Sequence, residues 1–222
     1  MNLSCHTIII ITTIRENNED IAYFVIRREI DGKSVRYIER FKSRTIKTLD
    51  DAFFLDCALK QTFDKKITKI LNLEHLKNEK VMALLDYGVV EDLVVDENGV
   101  LKLPYESKNV LVGIPYEFKL ETLNLESNGT LGVNKIINKV EVKILNSRED
   151  FFIMNDNNTI SQNARSHMSV NNPSMLFDKD VEFCPLSNPQ YQKSVRLIQK
   201  YPLPINILAI STTLSLQEVE NK

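Results

Sequence analysis

A chain of 222 residues can bury roughly 70% of the surface its unfolded form exposes, so one large or two small domains can form without disulfide or metal staples. A formal charge of −2, from 28 basic and 30 acidic residues spread along the chain, argues against a surface that clamps nucleic acid by its phosphates. Apolar runs such as Ile8 to Ile11 are far too short for a membrane-spanning helix, and Met1 to Cys5 lacks the basic segment of a secretory signal, so the chain is expected to stay where it is made.

Thr7 to Ile14 is a β-branched run that reads as a strand, and Arg15 to Asp20 reads as a polar turn. Ile21 to Ile30 and Lys33 to Phe41 flank Asp31-Gly32, a dipeptide suited to the positive φ angles of a two-residue hairpin turn. In the second arm Val35, Tyr37, Glu39 and Phe41 alternate with Ser34, Arg36, Ile38 and Arg40, so both faces are expected to meet neighbours. Thr48 is placed to cap a short helix with Asp50 and Asp51 in its first turn, although Phe53 and Phe54 equally suit a strand. From Ile67 short apolar runs follow one another: Ile67 to Leu71, Lys80 to Asp86, Val89 to Val95, Val100 to Leu103, Val110 to Ile114 and Tyr116 to Leu120. The turns between them include Tyr87-Gly88 and a hairpin signal at Glu97-Asn98-Gly99.

Ser127 to Gly132 is a further turn region, and after it Val140, Val142 and Ile144 share one strand face. Phe152 to Gln190 is rich in Asn, Ser and Pro and reads as a long loop broken by short strands near Ile153 and at Val181 to Phe183. Ser194 to Gln199, Tyr201 to Pro204 and Ile205 to Leu216 read as strand, rigid turn and strand. The expected fold is mainly β, with antiparallel sandwich-like or barrel-like modules. The boundaries are a hairpin region at 1–48, a connector at 49–66, a compact module at 67–125 and a C-terminal β-rich region at 126–222 with a long polar loop at 150–190.

No catalytic, cofactor-binding or metal residue is assigned. Cys5, Cys57 and Cys184 are odd in number and form no CxxC pair, so they read as reduced thiols; the carboxylate of Asp56 would raise, not lower, the pKa of Cys57. His75 follows Glu74 but lacks the second histidine of a metal-binding HExxH, and His6 and His167 stand alone. Asp50-Asp51, Glu91-Asp92 and Glu149-Asp150 read as solvated charge, because adjacent strand residues face opposite ways. Asp156-Asn157-Asn158 lacks the spacing and the bidentate Glu of a calcium loop. The aromatics Tyr23, Phe24, Tyr37, Phe41, Phe53 and Phe54 suit core or interface better than a stacking platform, and Tyr116 and Phe118 read the same way. A carbohydrate-binding β-module and a hydrolase with an unrecognised site are the alternatives to a structural, non-enzymatic role.

Val35 to Phe41, Asp50 to Cys57, Leu73-Glu74-His75-Leu76 through Asp86-Tyr87-Gly88, Val112 to Tyr116 and Pro202 to Ile210 occur in an order and spacing that resembles the tail nozzle proteins of short-tailed phages. These are also called tail tubular protein B or stabilisation proteins. The resemblance covers about residues 20 to 220 and rests on structural motifs. It implies a virion structural protein, located in the tail or, for a prophage remnant, in the host cytoplasm. The implied partners are further copies in a homo-oligomeric ring, other tail proteins, and DNA only as a passing substrate; no membrane or cofactor is implied. Family members are longer, with a β-propeller ahead of the segment seen here. The chain then corresponds to their C-terminal portion, 1–48 is the remnant of a propeller blade with unpaired edges, and the 150–190 loop is expected to be an intersubunit or partner contact.

Overall fold

The computed structural model describes residues 7–30, 32–42, 46–125, 133–155, 158–161, 175–184 and 193–217. Asp31, the 127–132 turn region, Asp156-Asn157 and most of the 150–190 loop lie outside the described residues, as do Cys5, His6 and His167. The chain is mainly β, and the described residues form fourteen strands in four open antiparallel sheets, none closed into a barrel. Its contacts separate two compact units. The first holds the chain up to Ile46 with Leu55–Asp86 and Val90–Ile114; the second holds Lys47–Phe54, Tyr87–Val89 and the chain from Pro115 onward.

In the first unit β1 (Thr7–Glu16), β2 (Glu19–Ile30) and β3 (Lys33–Arg40) form a three-stranded meander. The turn expected over Arg15 to Asp20 is narrower than the sequence suggests, because pairing continues through Arg15 and Asp20 to Glu16 and Glu19. Only Asn17 and Asn18 remain in the loop, at φ 48° and 68°. Asparagine tolerates this left-handed region, so the pair makes a two-residue turn that needs no glycine. Gly32 sits at φ 72° in the next turn.

The second sheet of this unit comprises β4 (Asp56–Ile70), β5 (Lys80–Leu85), β6 (Gly88–Val94) and β7 (Leu101–Ile114), in the order β4-β7-β5-β6. Three details differ from the sequence reading. The segment read as a connector, 49–66, is a 3-10 turn at Leu49–Asp51 followed by strand from Asp56 onward. Thr48 is its N-cap as expected, with the Asp51 carboxylate accepting the Lys47 and Thr48 amides at 3.0 Å each. The two runs Val100 to Leu103 and Val110 to Ile114 are one strand. Pro104 is accommodated where the β4 ladder is irregular, between the Lys69 to Lys102 and Ile67 to Ser107 pairs, so its missing N–H interrupts no regular register.

The third difference concerns Asn98-Gly99. It makes a tight turn, with Asp96 accepting the amides of Asn98 and Val100 at 2.9 Å, but not a hairpin, because β5 lies between β6 and β7. The turn docks instead on the Glu74–Leu76 3-10 turn, where the Leu73 amide donates to the Gly99 carbonyl at 3.0 Å. That anchors Leu73 and Leu76, both fully buried in a core shared with Ile70, Val81, Ala83, Leu101, Val110 and Val112. Each such aliphatic side chain contributes about 1.5–3 kcal/mol of transfer free energy.

The second unit is sandwich-like. Strands β8 (Phe118–Glu121), β10 (Phe152–Asn155), β11 (Asn158–Ser161) and β13 (Arg196–Gln199) form one sheet in the order β11-β10-β13-β8. Strands β9 (Asn134–Ser147), β12 (Phe177–Phe183) and β14 (Ile207–Gln217) form the other, with β9 central. The expected inward face of β9, Val140, Val142 and Ile144, is buried, and it shares one core with Ile153 and Leu197 of the facing sheet and Val181 and Phe183 of β12. Inward faces of two antiparallel sheets meeting in this way define a sandwich core.

Candidate functional site

The chemically densest point among the described residues lies in the first unit, where β2 and β3 meet the start of β4 and the Glu74–Leu76 turn. Arg28 is only 3% exposed. It sits on the same side of β2 as Phe24 and Ile26, and its guanidinium forms an ion pair with Glu39. A charge at the in-facing register of an otherwise apolar strand face was the sequence signal for this residue, and the sequence reading passes over it. Beside the pair stand Cys57, in a left-handed conformation at φ 54°, and His75, whose ring lies 5.9 Å from that of Tyr37. His75 Nε2 is 3.1 Å from the Cys57 carbonyl oxygen. A carbonyl only accepts, so Nε2 carries the proton and donates.

Burial is the main cause that holds His75 below its ordinary pKa, with the Arg28 charge acting in the same direction and the Cys57 carbonyl opposing it. The ring is therefore neutral at neutral pH. The Cys57 thiol is pushed up to about 12, chiefly by burial and further by Asp56 and Glu39, while Arg28 acts to lower it. The sequence reading named only the Asp56 charge; desolvation is the larger cause. Alkylation with iodoacetamide at neutral pH, mapped by peptide mass spectrometry, is expected to label the exposed Cys184 readily. Cys57, with its thiolate suppressed, should react at least about a hundredfold more slowly than a free cysteine until the chain is unfolded. Comparable rates at the two cysteines would show that the Cys57 thiol is not desolvated.

Glu39, Asp56 and Cys57 bring three ligand atoms within 4.8 Å of one another, a grouping that the sequence does not reveal. Glu39 in this group already pairs with the Arg28 guanidinium, and the Cys57 thiol would have to release its proton to ligate a metal ion. The cluster acts as a polar joint that fixes the three-stranded sheet to β4.

The carboxylates singled out in the sequence separate into different roles. Asp50 accepts a hydrogen bond from Tyr87 at 2.9 Å, Asp51 caps the 3-10 turn, and Glu91 and Asp92 are exposed. Asp150 corrects the reading of solvated charge: it is 3% exposed and accepts from Arg148 Nε at 3.2 Å, both side chains being buried in the second unit. Its neighbour Glu149 pairs with Lys179. Of the aromatics, Phe24 and Phe41 pack edge to face at 4.8 Å, and Tyr23 donates to Glu16, which also receives Arg40.

The most unusual surface is the meander itself. Ile8, Ile9, Ile10, Ile11 and Ile14 on β1 are each 44–61% exposed, and Ile38 on β3 reaches 76%. The registers align Ile10, Val25 and Ile38 in one row across all three strands, while Ile11 and Phe24 pair on the opposite face. Apolar side chains therefore cover both faces, and no described strand pairs with the outer side of β1. Exposed apolar side chains grouped in this way are uncommon on a monomeric protein.

Among the described residues no helix is long and apolar enough to cross a membrane. Neither the protein-family models nor the curated proteins contain a match to this chain.

Proposed function

We propose that the chain is a structural, non-enzymatic subunit of a phage-type tail, a nozzle component that assembles with copies of itself into a ring through which DNA passes. The observation that carries the assembly part of this reading is the two-faced apolar meander of β1, β2 and β3, with Ile10, Ile11 and Ile38 more than half exposed. Surfaces like this are covered in the working state of a protein. The tail assignment draws on the resemblance of Val35 to Phe41, Asp50 to Cys57 and Pro202 to Ile210 to the nozzle family. A net charge of −2 is compatible with a lumen that lets a polyanion pass without gripping it.

Purified chain imaged by negative-stain electron microscopy, alongside light scattering on the eluting peak, tests the reading. The expected result is a ring with an open centre whose mass is a whole multiple of the chain. A monomer at every soluble concentration overturns it.

A further inference from the structure

Among the described residues four open sheets present eight edges, and six of them follow the usual rules for avoiding unwanted pairing. Five carry charges along the strand: Arg36 on β3, Lys65 on β4, Glu91 on β6, Lys119 on β8 and Lys179 on β12. The sixth, β11, has only four residues. The remaining two edges are long and unprotected. From Thr7 to Ile14 β1 has no charged residue, and β14 has none over its whole length, Ile207–Gln217. No described strand pairs with the outer side of either.

We infer that the β1 edge of one copy pairs with the β14 edge of the next, joining their sheets by main-chain hydrogen bonds in a head-to-tail contact. This rests on the assembly reading above and names the surfaces that carry it. The two edges match in chemistry. Ile10 to Ile14 reads Ile-Ile-Thr-Thr-Ile and Ala209 to Thr213 reads Ala-Ile-Ser-Thr-Thr, and each stretch is free of the register shifts that flank it. A charged strand docking on either would strip water from its charges with no counter-ion in the facing strand. A neutral, β-branched edge incurs no such cost, and β1 and β14 are the two long described edges of that kind.

The pairing is heterologous: one contact repeated from copy to copy uses both charge-free edges of every chain, and neither of the two stays open once the rotation closes into a ring. A β1 to β1 pair related by a two-fold axis would leave β14 open and require a second, different contact to cover it.

Ile11 is 61% exposed and Ser211 is exposed, so a lysine at either position places a charge in the pairing surface without disturbing a core. Sedimentation velocity on Ile11→Lys, on Ser211→Lys and on their equimolar mixture tests the inference. Each variant alone has lost one half of the repeating contact and is expected to be monomeric. The mixture keeps an intact β14 on one chain and an intact β1 on the other, and is expected to yield a one-to-one dimer that grows no further. Assembly persisting in either variant alone, or a mixture that stays monomeric while the wild type assembles, overturns the edge pairing and leaves the assembly reading standing. A monomeric wild type overturns both. Circular dichroism establishes that the variants are folded; should either unfold, Thr13→Lys and Thr213→Lys at exposed threonines of the same two strands give the same outcomes.

Discussion

Asp150→Asn is expected to destabilise the second unit by about 3–5 kcal/mol, the cost of removing one partner of a buried ion pair. The asparagine keeps the size of the side chain and one acceptor oxygen, so the loss measures the charge and not a cavity. Arg148 is 3% exposed at its side chain and Asp150 is 0% exposed, so neither can recover hydration by turning outward. The Arg148 backbone adds rigidity, because its amide donates to the Pro204 carbonyl at 2.9 Å. Urea denaturation followed by fluorescence or circular dichroism gives the difference in midpoint. The double variant Arg148→Met with Asp150→Leu removes both charges and should lose less than Asp150→Asn alone, since an apolar pair incurs no desolvation of ions. A loss below about 1 kcal/mol for Asp150→Asn, the value typical of a surface pair, would show that the carboxylate is hydrated in the folded chain.

Asp150 also shows where sequence reading stops. Strand positions were legible because their cause is local: β-branched runs such as Thr7 to Ile14, and the alternation that buries Val140, Val142 and Ile144. The mainly β, sandwich-like class follows from those runs and the short spacing between them. What was not legible depended on contacts distant in sequence. Glu149-Asp150 has the composition of a surface turn, and only its packing near Met175, whose carbonyl accepts from Arg148 at 3.5 Å, makes part of it interior. The fusion of two short runs into β7 likewise required β4 to tolerate an irregular ladder around Pro104. For the polar joint, the Arg28 signal was present in the period of β2. Its partners Cys57 and His75 come from other elements, which one strand cannot announce. The edges were partly legible, since the charge-free runs of β1 and β14 are visible in the sequence. Which strands stand at the edges of sheets is a matter of topology.

Gly99→Ala is expected to cost about 2–4 kcal/mol, the sum of a left-handed backbone penalty and a steric clash. Gly99 has φ 72°, and a Cβ built on it falls 2.8 Å from the Glu74 backbone nitrogen and 3.1 Å from the Leu73 carbonyl carbon. Neither is the flexible end of a side chain, so relief requires the turn to move. Moving it strains the Leu73 to Gly99 hydrogen bond and displaces Leu73 and Leu76 from the core of the first unit. Gly32→Ala separates the two contributions. Gly32 has the same φ of 72°, yet nothing lies within 4 Å of its added Cβ. It should therefore show the backbone penalty alone, about 1–2 kcal/mol. Thermal or urea unfolding of the two variants measures the difference, and equal losses would mean that the close approach of the 98–99 turn to Glu74 contributes nothing. A larger loss for Gly99 would establish the docked turn as a fixed element of the first unit, held on the Glu74–Leu76 turn by the Leu73 to Gly99 hydrogen bond.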